Sequence, residues 1–212
     1  SLVDALAELH AVDVDAAGLG DLDRHDGLVA RQLERLGAQV TEIQDEAARC
    51  LVLVHDLHRY LADRAPAEPP SPSIVHGEYR FDNAVVGDDG TLRAVLDWEA
   101  ATLGDPLVDL GQLVVYWTDP GQENEALGAS PTAVAGFPSR REVVERYAER
   151  SGRDLDRVEF YVGFAYWKLA CTLEAVYARQ RAHGRADPEA LDTLSHQVVR
   201  LAESAREALG GP

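Results

Sequence analysis

The chain has 212 residues, 46% of them hydrophobic and 27% charged, a composition that suits a folded globular protein and excludes a disordered one. Its 37 acidic against 20 basic residues leave a formal net charge of −17, so nucleic acid phosphates and anionic membrane lipid would meet long-range repulsion. No apolar run reaches the length of a membrane span, and the opening SLVDALAELHAVD lacks the charge and period of a signal peptide, so a cytoplasmic protein is expected.

Residues 1–12 place Leu2, Leu6 and Leu9 on one face and Asp4 and Glu8 on another, which is the period of an amphipathic helix. GLG at 18–20 lacks the third glycine of a phosphate-binding loop and reads as a turn. The stretch 26–65 predicts two helices broken near Gly37, and the proline-rich PAEPPSPS at 66–73 then enforces an extended linker. Within it, HDLH at 55–58 has two histidines at helical spacing but no third metal ligand beside them. Ile74 and Val75 predict a short strand, NAVVG and TLRAVLDW a strand pair, and GDDG at 87–90 the hairpin turn between them.

From Pro106 onward the helical period returns in PLVDLGQLVVYW, SRREVVERYAERSG, DRVEFYVGFAYWKLACTLEAVYARQRAHG and DPEALDTLSHQVVRLAESAREALG. Ser139, Asp154 and Asp187 are the expected N-caps, and Gly152 and Gly184 the expected stops. Residues 118–138 between them form a long polar loop, of a length that is usually functional or mobile. Cys50 and Cys171 fall inside helical patterns and read as buried reduced thiols. The expected fold is α+β: one mainly helical domain over residues 1–212 with a small central β-hairpin.

The chemistry concentrates in SIVHGEYRFDNAVVGDDGTLRAVLDWEAATLGDP, residues 73–106. His76, Glu78, Arg80, Asp82 and Asn83 lie between a short strand and the hairpin, and Asp97 and Glu99 close the other hairpin arm. The arms meet at their open end, so Asn83 and Asp97 are expected near each other, with Glu78 in the loop just before them. This gathers hard oxygen donors of the kind Mg²⁺ takes alongside phosphate oxygens and water. It also leaves one carboxylate to accept a proton. On spacing alone, a polar loop with caps and a solvated turn accounts for the same residues.

The ordered series HGEYRFDN, LDWE and LGDPLVDL resembles the signature of the aminoglycoside phosphotransferase and choline kinase-like family, distant relatives of the protein kinases. It is especially similar to the phosphotransferase-like domains related to those fused to certain acyl-CoA dehydrogenases. The likeness runs from residue 1 to about residue 183 and implies the C-terminal lobe of a protein-kinase-like fold. It implies Glu78 at the catalytic base position, Asn83 as a Mg²⁺ ligand, and Asp97 as the principal Mg²⁺ ligand bridging the phosphates of ATP or another nucleoside triphosphate. Arg80 is placed either to approach the transferred phosphoryl group or to pair with Asp82 or Glu99. Glu99 is a candidate substrate contact, His76 a brace of the loop through backbone hydrogen bonds, and Asp105 and Asp109 a helix cap and a structural anchor.

Two departures from the family shape the functional expectation. Its N-terminal β-rich lobe, with a strand lysine for the phosphates, has no counterpart in these residues, and the single lysine, Lys168, falls in a helix far beyond Asp97. One lobe of a two-lobe kinase is therefore expected, inactive alone, its face toward the missing N-terminal lobe left open to self-association as a homodimer. The second departure is Glu78, where the family carries aspartate. Charge is kept but reach is not: one methylene moves the carboxylate by about 1 Å, which can cost ~100-fold where alignment matters. The expected function is ATP- and Mg²⁺-dependent phosphoryl transfer to a hydroxyl of a small molecule. Three readings of Glu78 stay open: a kinase with a repositioned base, a catalytically impaired kinase-like protein that binds a ligand or partner, or an altered residue.

Overall fold

A computed structural model describes residues 1–20, 22, 27–47, 51–67, 69, 71–183 and 187–211 of the chain. Helix α1 (Leu2–His10) starts at a capping box between Ser1 and Asp4 and buries Leu2, Val3, Leu6, Ala7 and His10 along one stripe. Helices α2 (Leu28–Ala47) and α3 (Val52–Arg64) follow. The break expected near Gly37 is not there: α2 runs through that residue to Ala47, and α3 starts afresh after the non-helical Leu51. The reason is tertiary. A Cβ on Gly37 would sit 2.5 Å from the His58 ring of α3, so the glycine permits close helix packing, and that contact outweighs a helix-propensity penalty of about 1 kcal/mol.

Strand β1 (Ser73–Val75) pairs antiparallel with β4 (Thr102–Gly104), Ile74 opposite Leu103. Sequence reading passes over β4 because three wholly buried residues show no alternation. Strands β2 (Ala84–Val86) and β3 (Leu92–Val95) make the expected hairpin, Ala84 opposite Val95, with an irregularity after Val85 that brings Val86 opposite Leu92. The turn closes through Gly87 N–H to the Thr91 carbonyl at 2.9 Å and Gly90 N–H to the Gly87 carbonyl at 2.8 Å. Gly90 sits at φ +77°, a left-handed conformation that glycine adopts without a Cβ clash.

Helices α4 (Leu107–Tyr116), α5 (Arg140–Ser151), α6 (Val158–Ala182) and α7 (Pro188–Ala208) complete the described elements. Ser139 caps α5 through a capping box with Glu142, Gly152 ends it, and Asp187 caps α7 with Pro188 in its first turn. Asp154 does not cap α6. It accepts from the Asp156 N–H at 2.9 Å in the preceding turn, and α6 begins after Arg157 without a side-chain cap. Cys50 and Gly184 lie outside the described residues. Cys171 is a free, buried thiol, and burial pushes its pKa up.

Helix α6 is the hub, packed against α2, α3, α4 and α7. Phe160, Phe164, Trp167 and Ala170 are buried along it. The Trp167 indole donates to the Val54 carbonyl at 2.9 Å and stacks on His58. Helix α4 crosses α6 at Gly111, where a Cβ would lie 2.5 Å from the Tyr161 carbonyl oxygen. That close crossing carries polar residues of both helices toward the loop after β1. Among the described residues no helix is long and apolar enough to cross a membrane.

Gly37→Ala would favour an isolated α2, yet here it is expected to lower unfolding free energy by about 1–3 kcal/mol through overpacking against His58. In a His58→Ala background the same change should become neutral or stabilising. Urea denaturation of the four proteins in this double-mutant cycle measures it.

Candidate active site

The loop after β1 is shaped by one buried carboxylate. Asp109, on α4 and 0% exposed, accepts the His76 N–H at 2.6 Å on Oδ2 and the Gly77 N–H at 2.8 Å on Oδ1. His10 of α1 places Nε2 3.3 Å from Asp109 Oδ2, and its Nδ1 lies 2.7 Å from the Tyr147 hydroxyl of α5. Gly77 needs to be glycine twice over: its φ is +85°, and a Cβ would fall 2.8 Å from the Ala100 carbonyl oxygen. Asp105 accepts the Leu107 N–H at 2.9 Å at the start of α4 and a hydrogen bond from the Tyr161 hydroxyl, which is cap behaviour.

His76 is fully buried and braces the loop in a definite tautomer. Its Nδ1 accepts the Glu78 N–H at 3.2 Å, so the proton sits on Nε2, which donates to the Leu96 carbonyl at 2.9 Å. The ring also packs against Trp98, 4.6 Å between centroids. The Tyr79 hydroxyl donates to the Leu2 carbonyl at 2.9 Å, tying the loop to α1, and burial with the neighbouring Asp109 charge holds its pKa above the usual tyrosine value.

Glu78 follows directly and is 36% exposed at its side chain. Gln112 of α4 donates to its Oε2 at 3.0 Å, and Lys168 of α6 places Nζ 3.4 Å from its Oε1. Sequence reasoning missed both partners, although a lone lysine inside the aromatic-rich run FYVGFAYWKLAC was a usable signal. Asn83 ends a short 3₁₀ turn (Phe81–Asn83), and its Nδ2 donates to the Glu78 carbonyl at 2.8 Å, so Oδ1 is its remaining acceptor.

The hairpin brings Asp97 to the same end. Leu96 N–H donates to the Asn83 carbonyl at 2.8 Å, and Asp97 is the next residue. Among the described residues Asp97 is the one non-glycine with positive φ, +68°, and its exposed carboxylate caps nothing. Such strain persists where surroundings impose it and clusters at working sites. Among the described residues no three His, Cys, Asp or Glu side chains form a metal cage. One carboxylate with one amide oxygen instead fits Mg²⁺, which keeps waters and borrows phosphate oxygens.

The other two candidates sit at the margin. Arg80 places Nη1 3.7 Å from Asp82 and stacks its guanidinium over the Tyr116 ring at 4.8 Å, while its buried Nε has no hydrogen-bond partner. Burial raises the Tyr116 pKa, with Arg80 opposing and Glu78 reinforcing it. Glu99 lies on the 3₁₀ turn Trp98–Ala100 and lines a groove with Gln32 and Arg35 of α2. Asn83 is bonded to Glu78 and Asp97 follows the residue paired with Asn83, whereas Glu99 lies toward the α2 groove.

Residues 1–161 match the family model described as "Phosphotransferase enzyme family". Over 212 residues the chain is 29% identical to acyl-CoA dehydrogenase family member 11 of Gallus gallus, an alignment covering 97% of this chain and 27% of that protein. A solved structure from Ralstonia eutropha JMP134, provisionally described as an aminoglycoside phosphotransferase, is 27% identical with a TM-score of 0.80, covering 100% of this chain and 64% of that one. Spectinomycin phosphotransferase, solved with ADP and spectinomycin, shares the fold at 14% identity and a TM-score of 0.54, covering 97% of this chain and 64% of that one. The chain thus spans about a quarter of the curated relative and just under two thirds of these solved chains.

The backbone of Asp97 yields a direct check. Asp97→Gly removes left-handed strain of about 1 kcal/mol and no structural hydrogen bond. It should therefore hold or raise the unfolding free energy in urea, whereas a structural anchor would lose stability on the same change.

Proposed function

The chain belongs to the phosphotransferase enzyme family, and we propose that it is the C-terminal, catalytic-loop and substrate-binding lobe of an ATP- and Mg²⁺-dependent kinase acting on a hydroxyl of a small molecule. The observation that carries this reading is the grouping at one hairpin mouth of Asn83 and the strained, exposed Asp97, with Glu78 on the clamped loop before them. ADP in the spectinomycin phosphotransferase structure supports the nucleotide, and coverage of 64% of that chain supports a single lobe.

In this reading the acceptor hydroxyl gives its proton to Glu78 as its oxygen attacks the γ-phosphorus. The bond from phosphorus to the β,γ-bridging oxygen breaks, and ADP leaves with that electron pair. Asn83 Oδ1 and the Asp97 carboxylate would hold Mg²⁺, which when bound neutralises phosphate charge. Arg80 borders the loop close enough to meet the transferred group if its exposed pairing with Asp82 opens, and Glu99 would meet substrate only from the α2 groove. Val85, Val86, Leu96 and Trp98 are each exposed on or beside the hairpin, and apolar surface there would receive the N-terminal lobe or, without it, a second copy of the chain.

One observation favours the alternative, a kinase-like protein that binds without transferring phosphate. The Glu78 carboxylate is already engaged by Gln112 and Lys168, so an acceptor hydroxyl would compete with both for its oxygens. Phosphate transfer from labelled Mg·ATP by the intact gene product, screened over amino sugars, amino alcohols and hydroxyacyl thioesters, separates the two readings. Transfer to any of them supports the kinase, and nucleotide binding without transfer supports the binding protein. The 212-residue chain alone is expected to show no turnover, and robust turnover by it would overturn the lobe assignment.

Removing a contact to a charged group costs on the order of 1.5–3 kcal/mol, which is about 10–100-fold in affinity. Asp97→Ala should weaken Mg·nucleotide binding by that factor, and Asn83→Ala by less, because a neutral amide offsets less charge. Calorimetric titration of both variants checks the order, and equal losses would refute the assignment of the two positions.

A further inference from the structure

The contacts that hold the Glu78 carboxylate are made by residues outside the motif that carries it. We propose that Lys168 and Gln112 are positioning residues for Glu78, and that a glutamate stands at this position because its extra methylene reaches them. The proposal rests on the kinase reading and deepens it, since it assigns the residues that aim the base.

Lys168 is the only lysine of the chain. It projects from α6 between the buried Trp167 and Ala170, and its side chain is only 16% exposed. Sequestering an ammonium from water is costly unless acceptors replace the water. Here two do: the Gly77 carbonyl at 3.1 Å and Glu78 Oε1 at 3.4 Å. Gln112 is 5% exposed on α4 and spends its Nε2 on the other carboxylate oxygen at 3.0 Å. Donors from two helices therefore end on the two different oxygens of one carboxylate. That fixes its rotation as well as its position.

The need for such a pair follows from the backbone. Asp109 clamps His76 and Gly77, but it reaches no further than the main chain of the loop. A glutamate has one more rotatable bond than an aspartate, so on a clamped backbone it would wander more, unless the added rotor is pinned. Lys168 and Gln112 pin it. An aspartate at the same Cα would draw its carboxylate back by about 1 Å, less than one C–C bond length. A contact already at 3.0 Å would then leave hydrogen-bond range, and one at 3.4 Å would lengthen past 4 Å. The ammonium thus donates to the Gly77 carbonyl while its charge pairs with Glu78. Of the readings of Glu78, the geometry points to a native base with its pocket built around the longer side chain.

The test has one arm that does not use catalysis. Competitive trace acetylation of Lys168 with acetic anhydride, quantified by peptide mass spectrometry, should show a slow reaction in the wild-type chain and a several-fold faster one in both Glu78→Gln and Glu78→Asp. If Glu78→Asp keeps the wild-type rate, or if neither variant differs from wild type, the proposal is overturned. In the second arm, Lys168→Met in the intact gene product should lower kcat by on the order of 100-fold with the nucleotide KM unchanged. Lys168→Arg, which restores the cation, should recover most of the loss. An unchanged kcat in Lys168→Met also overturns the positioning role. If the wild-type protein transfers no phosphate to any acceptor, the kinase reading fails by itself. The acetylation arm then still decides whether glutamate at 78, and not aspartate, engages Lys168.

Discussion

The structure depends on a carboxylate with no access to water. Asp109 receives two backbone N–H groups of the His76–Gly77 loop and faces His10, which itself meets Tyr147. One side chain thereby joins α4, α1, α5 and the loop after β1. A buried carboxylate is tolerable only when its lone pairs are satisfied. This demand runs in reverse as well, because the loop can satisfy Asp109 only in the one shape that turns both N–H groups inward. Gly77 supplies the left-handed backbone which that shape requires.

From the clamped loop the other constraints propagate outward in short steps. His76, held by its backbone, bonds Leu96 at the far arm of the hairpin, so loop and hairpin share one register. Leu96 in turn bonds the Asn83 carbonyl, while the Asn83 side chain reaches back to Glu78. A closed circuit of hydrogen bonds thus runs through residues 76, 78, 83 and 96, and Asp97 projects from it in a strained conformation. Strain of that kind is stored where the surrounding geometry over-determines a residue. The circuit explains how an exposed loop can hold a charged side chain in place without burying it.

The helical hub sets the second level of organisation. Close crossing of α4 and α6 at Gly111 places Gln112 and Lys168 under Glu78. The base position is therefore served twice, by Asp109 through the main chain and by two helix residues through the side chain. The side chains of Val85, Val86, Leu96 and Trp98 stay exposed around the hairpin, although the Leu96 main chain belongs to the circuit and the Trp98 ring packs on His76.

Much of this was legible in the residues. Helical period located α1, α4, α5 and α7; capping chemistry located Ser139 and Asp187; the run from His76 to Asp105 announced the loop and the hairpin. These are local signals, since helix period, caps and hairpin turns are decided within a few residues. What failed locally failed for a long-range reason. Gly37 reads as a breaker until His58 lies against it; β4 has no pattern until β1 pairs with it; Asp154 reads as a cap although its turn ends before α6 begins. Lys168 is the sharpest case. Sequence alone determined that it is the sole lysine and that it rides on a helix. Only the tertiary structure decided that its ammonium lies beside Glu78, because that contact depends on how α4 crosses α6 and on how Asp109 turns the loop, and neither is encoded within the neighbourhood of either residue.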